Sequence, residues 1–229
     1  GDLTNTPLQQ YIAKKNKPIF LSTGGGTFKD IERAYKNITK YNKKLIILHC
    51  TAAYPAEIED MNLNIIGKLK KKYPKNIIGL SDHENGIDAA SVAYMMGARV
   101  FEKHFTLNRS WKGTDQSFSL EPIGLTKLCR NINRIPKMLG SHEKKFLKSE
   151  KKPIEKMRKM LVAKETFEKG HKISLKNISF KSPGIGLEPH EFSKILNKRL
   201  KKKNLKDEKF SLKHFKWMKK KFPTVKFPK

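Results

Sequence analysis

The chain has 229 residues, 37% of them apolar, with 50 Lys+Arg against 21 Asp+Glu and two cysteines. That length and apolar share suffice for one large or two small domains with a buried core, which argues against disorder throughout. No apolar run approaches the roughly 20 residues a bilayer span needs, no leader pattern opens the chain, and Cys50 and Cys129 are too few for a disulfide scaffold or structural zinc, so a soluble protein of the reduced cytoplasm is expected.

The net charge of +29 is uneven: residues 1–140 carry +10 and residues 141–229 carry +19. A basic surface concentrates anionic substrates or binds polyanions without sequence preference. Lys far outnumbers Arg, and neither an aromatic-interleaved nor a zinc-finger pattern accompanies it, so specific nucleic-acid recognition is not the reading taken.

Along the first 140 residues, short apolar runs alternate with longer amphipathic stretches. Lys17–Leu21, Lys44–Leu48, Asn76–Leu80 and Arg99–Phe101 read as buried parallel strands. Helical periodicity falls between them, over 28–42 with Ile31, Ala34, Tyr35 and Ile38, over 61–73 with Leu63, Ile66 and Leu69, and over 86–97 with Ile87, Ala90 and Ala93. A further helix over 123–139 follows Pro122 and ends at Gly140. Strand starts recur every 23 to 32 residues, the length of a βα unit. Four such units suit either an open doubly wound sheet or half of a (β/α)8 barrel. Gly24-Gly25-Gly26 lacks the spacing of the dinucleotide and Walker loops and reads as a turn, or as backbone N–H groups offered to an anion.

Residues 141–157, charged and containing Pro153, read as a linker. Beyond them Met160–Ala163, Phe167–His171 and Ile178–Lys181 read as short strands of a compact, mostly-β unit over 158–205. Residues 206–229 read as a basic tail, with a short helix near Leu212–Lys221.

Chemistry gathers where each apolar run ends: Ser22-Thr23-Gly24, His49-Cys50-Thr51, Ser81-Asp82-His83 and Glu102-Lys103-His104. In a parallel barrel these ends form one rim, so residues some 80 positions apart share a pocket. A single histidine at a strand end is commonly structural. Two on adjacent strands, His83 and His104, suit a divalent metal that keeps open positions for substrate or water. Strand alternation is read as turning Asp82 and Glu102 away from the neighbouring histidines. The hydroxyls of Ser22, Ser81 and Thr51 with the charge of Lys103 suit a phosphate or carboxylate, or simply satisfy backbone groups. In the loop 111–117, Trp111 and Asp115 are suited to a sugar face and a sugar hydroxyl, or Trp111 is a buried anchor.

Taken in order, His49-Cys50-Thr51-Ala52-Ala53-Tyr54-Pro55, Gly79-Leu80-Ser81-Asp82-His83, Glu102-Lys103-His104-Phe105-Thr106 and Trp111 to Pro122 resemble the sialic acid synthase (N-acetylneuraminate synthase) family over residues 1–140. Residues 160–200, with Lys169-Gly170 and Pro183-Gly184-Ile185-Gly186, resemble its C-terminal SAF (antifreeze-like) domain. The resemblance implies an α/β chain of the (β/α)8 TIM-barrel type, here its C-terminal half (strands five to eight), followed by the SAF domain. It implies condensation of phosphoenolpyruvate with the open-chain aldehyde of an N-acetylhexosamine such as N-acetylmannosamine, giving a nine-carbon 2-keto acid and phosphate. His83 and His104 would then hold Mn²⁺ or Mg²⁺, Ser22 and Ser81 would bind phosphoenolpyruvate, and Tyr54 and Asp115 would contact the sugar. Asp2 would stand where the family has a carboxylate for water activation or proton transfer. The family pattern also implies an N-terminal half-barrel and a homodimer in which each SAF domain covers the other subunit's barrel mouth. Two positions depart from it: Ala52 stands where a sugar-contacting Asn is common, and Ser182 where an Arg precedes Pro-Gly. The alternatives are a fragment that binds sugar or metal without turnover or only on complementation, a basic interaction module, and a different metal-dependent barrel hydrolase.

Overall fold

A computed structural model describes residues 1–215, which fall into two compact units divided after Ser141. The first unit is a four-stranded parallel sheet in the order β1-β2-β3-β4, with β1 Ile19–Ser22, β2 Leu45–Cys50, β3 Ile77–Asp82 and β4 Val100–Lys103. Its helices are α1 Thr6–Ala13, α2 Phe28–Thr39, α3 Asn64–Lys72, α4 Asp88–Met95 and α5 Pro122–Leu139. All four strands expected in this unit are present, each running one or two residues past its apolar run into the polar residues that follow.

The two faces of the sheet differ. Leu21, Leu45, Ile47, Ile78 and Leu80 point to the helix side and are buried with Ile31, Ala34 and Ile38 of α2 and Ile66 and Leu69 of α3. Burial of this aliphatic set is the main favourable term for the unit. Phe20 and Ile77, which alternation turns to the opposite face, are 56% and 50% exposed. The sheet is therefore a half-barrel with its helical layer in place and its concave side open. Gly79 lets the strands close up: a Cβ there would lie 2.5 Å from the carbonyl oxygen of Val100 on β4.

Local chemistry explains the helix starts. Thr27 and Asp30 form a reciprocal capping box at α2, and the cap and the Arg33 guanidinium hold the Asp30 carboxyl at about 2. Pro122 occupies the first turn of α5, where its missing N–H has no partner to lose. The unpredicted helix α1 has the same kind of signal: Asn5 accepts from the Leu8 N–H, and Pro7 lies in the first turn.

The second unit is built on β5 Met160–Ala163 and β6 Ile178–Lys181, paired antiparallel. Isolated bridges and short 3-10 turns complete it around Leu161, Phe167, Ile173, Ile195, Phe210 and Phe215. Three expectations change here. Of the expected strand 167–171 only Phe167 pairs, as an isolated bridge to Asn204, and residues 168–171 turn with Gly170 at φ +90°. The expected linker contains a helix, α6 Lys151–Met157, and Pro153 sits in its first turn, a position that tolerates proline. The expected tail from 206 begins inside the core, since Phe210 and Phe215 are 0% and 1% exposed; its remainder, 216–229, lies outside the described residues. No helix among the described residues is long and apolar enough to cross a membrane.

Candidate active site

Parallel register brings the strand ends together. Cys50 pairs with Ser81, and Ser81 with Glu102, so alternation turns their side chains, with those of His83 and His104 two residues on, to the concave face. A pocket of about 240 Å³ opens there, lined by Ser22, Cys50, Tyr54, Ser81, His83 and Glu102 among others. His83 Nδ1 lies 3.0 Å from His104 Nε2, within hydrogen-bonding distance. Tyr54 meets both imidazoles edge-on, with ring centroids 4.4 Å from His83 and 5.8 Å from His104.

Hydrogen bonds fix how His83 presents itself. The Ser81 hydroxyl donates to Glu102 Oε1 at 2.6 Å, which leaves its oxygen to accept from His83 Nε2–H at 3.2 Å. The lone pair on Nδ1 is then aimed at His104. Burial, and next the neighbouring His104, push the His83 pKa below its ordinary value, so the ring is neutral at pH 7. On the far side of His104, Nδ1 faces the Asp115 carboxylate at 3.6 Å. Each ring thus turns one nitrogen to the other ring and its second nitrogen to a polar partner, the kind of partner that orients a ligating histidine. Two ligands at right angles on one ion, each about 2.1 Å from it, stand about 3 Å apart, the separation that these two nitrogens, hydrogen-bonded to each other here, already have. The pair therefore fits a divalent metal whose remaining positions are left to substrate or water. Among the described residues no group of three or more His, Cys, Asp or Glu could hold a metal.

The other expected residues are distributed unevenly. Ser22, Ser81, Tyr54, His83, His104 and Asp115 come together. Asp2 accepts from Asn5 Nδ2 at 2.9 Å and lines an adjoining cavity that shares Gly1, Leu3 and Ser22 with the pocket. Thr51 donates to the Asp60 carbonyl and lines a different cavity. Lys103 is not in the site: its register partner is Asp82, both side chains face the helix layer, and they form a buried ion pair at 2.9 Å with the ammonium also on the Glu84 carbonyl. Glu102 does not point away from His104; standing two residues before it, it shares its face and accepts the Ser81 hydroxyl hydrogen bond. Trp111 is 52% exposed and no anchor.

Two contributors were missed. Phe118, 3% exposed, packs its ring 5.0 Å from His104 and closes the aromatic wall begun by Tyr54. Arg109 pins the loop that carries Phe118 and Asp115, bonding the Ser117 carbonyl and Asn85 Oδ1, while its own N–H reaches Glu121. Phe118 falls within the Trp111–Pro122 stretch, and Arg109 shows no sequence signal.

His49 belongs to the helix side. Its Nε2 is 2.6 Å from the Met61 carbonyl, and burial pushes its pKa below the usual histidine value. A lowered folded-state pKa means stability that is complete above the unfolded value near 6.5 and is lost as pH falls below it. Thermal melts from pH 8 to pH 5 are expected to show a smaller acid-side fall in Tm for His49→Gln than for the parent chain. Equal slopes would mean that this ring does not contribute.

Fold and site define an α/β chain of the parallel-barrel type, with a histidine-paired pocket at its strand C-terminal ends. The chain belongs to the NeuB family, whose model matches residues 1–144. It is 40% identical over 211 residues to the N,N'-diacetyllegionaminic acid synthase of Campylobacter jejuni, covering 91% of this chain and 63% of that one. It is 34% identical over 201 residues to the human N-acetylneuraminate-9-phosphate synthase, covering 87% of this chain and 56% of that one. Among solved structures, the N-acetylneuraminic acid synthetase of Leptospira borgpetersenii in complex with citrate superposes with TM-score 0.59 at 37% identity, over 67% of this chain and 54% of that one. The spore coat polysaccharide biosynthesis protein SpsE of Bacillus subtilis superposes with TM-score 0.56 at 27% identity, over 95% and 66%. The chain thus spans under two thirds of the length of these curated relatives.

Proposed function

We propose that the chain is the C-terminal half of a sialic acid synthase-type barrel, strands five to eight, followed by a SAF domain, and that it acts in the cytoplasm. The reaction is condensation of phosphoenolpyruvate with an N-acetylhexosamine of the N-acetylmannosamine type, yielding a nine-carbon 2-keto acid and phosphate. The observation that carries this reading is the pair of imidazole nitrogens 3.0 Å apart, with Ser81 and Tyr54 against His83 and Asp115 facing His104. Membership of a family whose relatives are named as synthases of legionaminic and neuraminic acids supports it.

His83 and His104 would hold Mn²⁺ or Mg²⁺, which supplies Lewis acidity toward the sugar carbonyl. Ser22 lines the pocket on the β1 side and makes no side-chain hydrogen bond among the described residues, so its hydroxyl is available to phosphoenolpyruvate. Ser81 keeps the His83 ring in its ligating tautomer and reaches phosphoenolpyruvate only by releasing Glu102. Tyr54 forms a wall against which the sugar lies, with Asp115 positioned for one of its hydroxyls. Asp2 would move protons from the adjoining cavity. The open concave face, with Phe20 and Ile77 exposed, supports completion by an N-terminal half-barrel, and assembly of the whole as a homodimer.

The test is mass-spectrometric detection of the nine-carbon acid from phosphoenolpyruvate, N-acetylmannosamine and Mn²⁺, with the chain alone and with an N-terminal half-barrel supplied. Product in either case supports the reading. Absence of product in both, with the chain folded, rules it out in favour of a non-catalytic relative.

A further inference from the structure

The loop between β4 and α5 carries Asp115, yet little of it is anchored by packing. It leaves and returns at one point, where the Thr106 N–H donates to the Leu120 carbonyl and the Leu120 N–H to the His104 carbonyl, both at 2.9 Å. Phe118, Ser119 and Leu120 are buried at its returning end, whereas no residue from 107 to 117 is. The path of this outer segment is therefore set by hydrogen bonds rather than by an apolar core.

The Asp115 carboxylate does not hold the segment by itself. Its side chain is 48% exposed and 3.6 Å from His104 Nδ1, so solvent screens the attraction. Arg109 supplies the firmer ties. Its Nε donates to the Ser117 carbonyl at 2.6 Å, and Nη2 donates to the same carbonyl, so the guanidinium closes the segment on itself across Asp115. Nη2 has a second N–H, which reaches Asn85 Oδ1 at 3.1 Å in the loop after β3. Asn85 lies two residues after His83 and Arg109 five after His104, so one planar group joins the two loops that the imidazoles open. The Arg109 backbone N–H donates to Glu121 Oε1 at 3.1 Å and fixes the near end of the segment to the start of α5. A lysine at this position would keep the charge but not the fork.

We propose that Arg109 is a positioning residue. By holding residues 109–117 in one path it keeps the Asp115 carboxylate opposite His104, and by reaching Asn85 it keeps that carboxylate in step with the His83 side of the pocket. The sugar contact that Asp115 would make then depends on a residue that touches no substrate. That step rests on the synthase reading; the placement of Asp115 against His104 stands apart from it.

Two measurements test the proposal. The first is the His104 Nδ1 signal of the full chain by ¹⁵N NMR, with no sugar present. Arg109→Gln is expected to move it to where Asp115→Asn moves it, and the double variant to add no further shift. The second is kinetics with the N-terminal half-barrel supplied. Arg109→Gln is expected to raise KM for N-acetylmannosamine about ten-fold, more than it lowers kcat, with KM for phosphoenolpyruvate and the Mn²⁺ affinity at parent values. Arg109→Lys is expected to fall between the glutamine variant and the parent, and Asn85→Ala to move both measurements in the same direction. A His104 signal in Arg109→Gln that matches the parent overturns the inference. So does a lysine variant indistinguishable from the parent, since charge rather than the fork would then suffice. An even loss across kcat, both KM values and metal affinity overturns it too, because it reports a general loosening of the fold. If the complemented parent makes no product, the synthase reading falls, and the NMR comparison alone decides the placement of Asp115.

Discussion

Lys103→Met is expected to lower the unfolding free energy by about 3–5 kcal/mol, because it leaves the Asp82 carboxylate buried without its cation. The two side chains are 6% and 3% exposed, and the same ammonium caps the Glu84 carbonyl just past the end of β3. Asp82 also accepts from the Glu84 N–H at 2.9 Å, so the pair ties the turn after β3 to the end of β4. The partners adjoin His83 and His104 in sequence, and loosening them widens the spacing of the imidazoles on the opposite face. Urea denaturation checks the energy. Asp82→Leu/Lys103→Met, which removes both charges, is expected to recover most of the loss. A single variant as stable as the parent would show that the pair is solvated in solution.

On the proposed synthase reading, with an N-terminal half-barrel supplied, His104→Ala is expected to reduce phosphate release from phosphoenolpyruvate by about 10³-fold, the scale of several kcal/mol of lost transition-state stabilisation. Phe118 and Tyr54 pack on this ring, and Asp115 faces it, so the variant also leaves a gap in the aromatic wall. His104→Gln keeps much of the packing volume without the imidazole and separates the two effects. Comparable losses in both variants assign the effect to the ring nitrogen, whereas activity restored by Gln assigns it to packing.

The strands were legible because each is apolar on the face that meets the helices, and because the polar residues that follow each run sit at one end of a parallel sheet. Ser81, His83 and His104 followed from that rule alone. Lys103 and Glu102 were misplaced for one reason: facing depends on counting in twos along the strand and across the register. Asp82 opposes Lys103, and Glu102 shares the side of His104. Phe118 and Arg109 act through a loop whose path is set by carbonyl and side-chain bonds, which periodicity does not encode. Phe210 and Phe215 stand among lysines, and only tertiary packing distinguishes them from residues of a solvated tail. α1 carried its cap and its proline in plain view but is short and weakly patterned.

The claim on which the account turns is that His83 and His104 together hold one divalent ion. Titration of the full chain with Mn²⁺, followed by the loss of the free-ion electron paramagnetic resonance signal, measures it directly. One equivalent bound by the parent chain, and none at the same concentrations by His83→Ala/His104→Ala with its fold retained, is the predicted result. Undiminished binding by the double variant would contradict the account, because the ion would then be held elsewhere and the paired imidazoles would be a hydrogen-bonded structural feature.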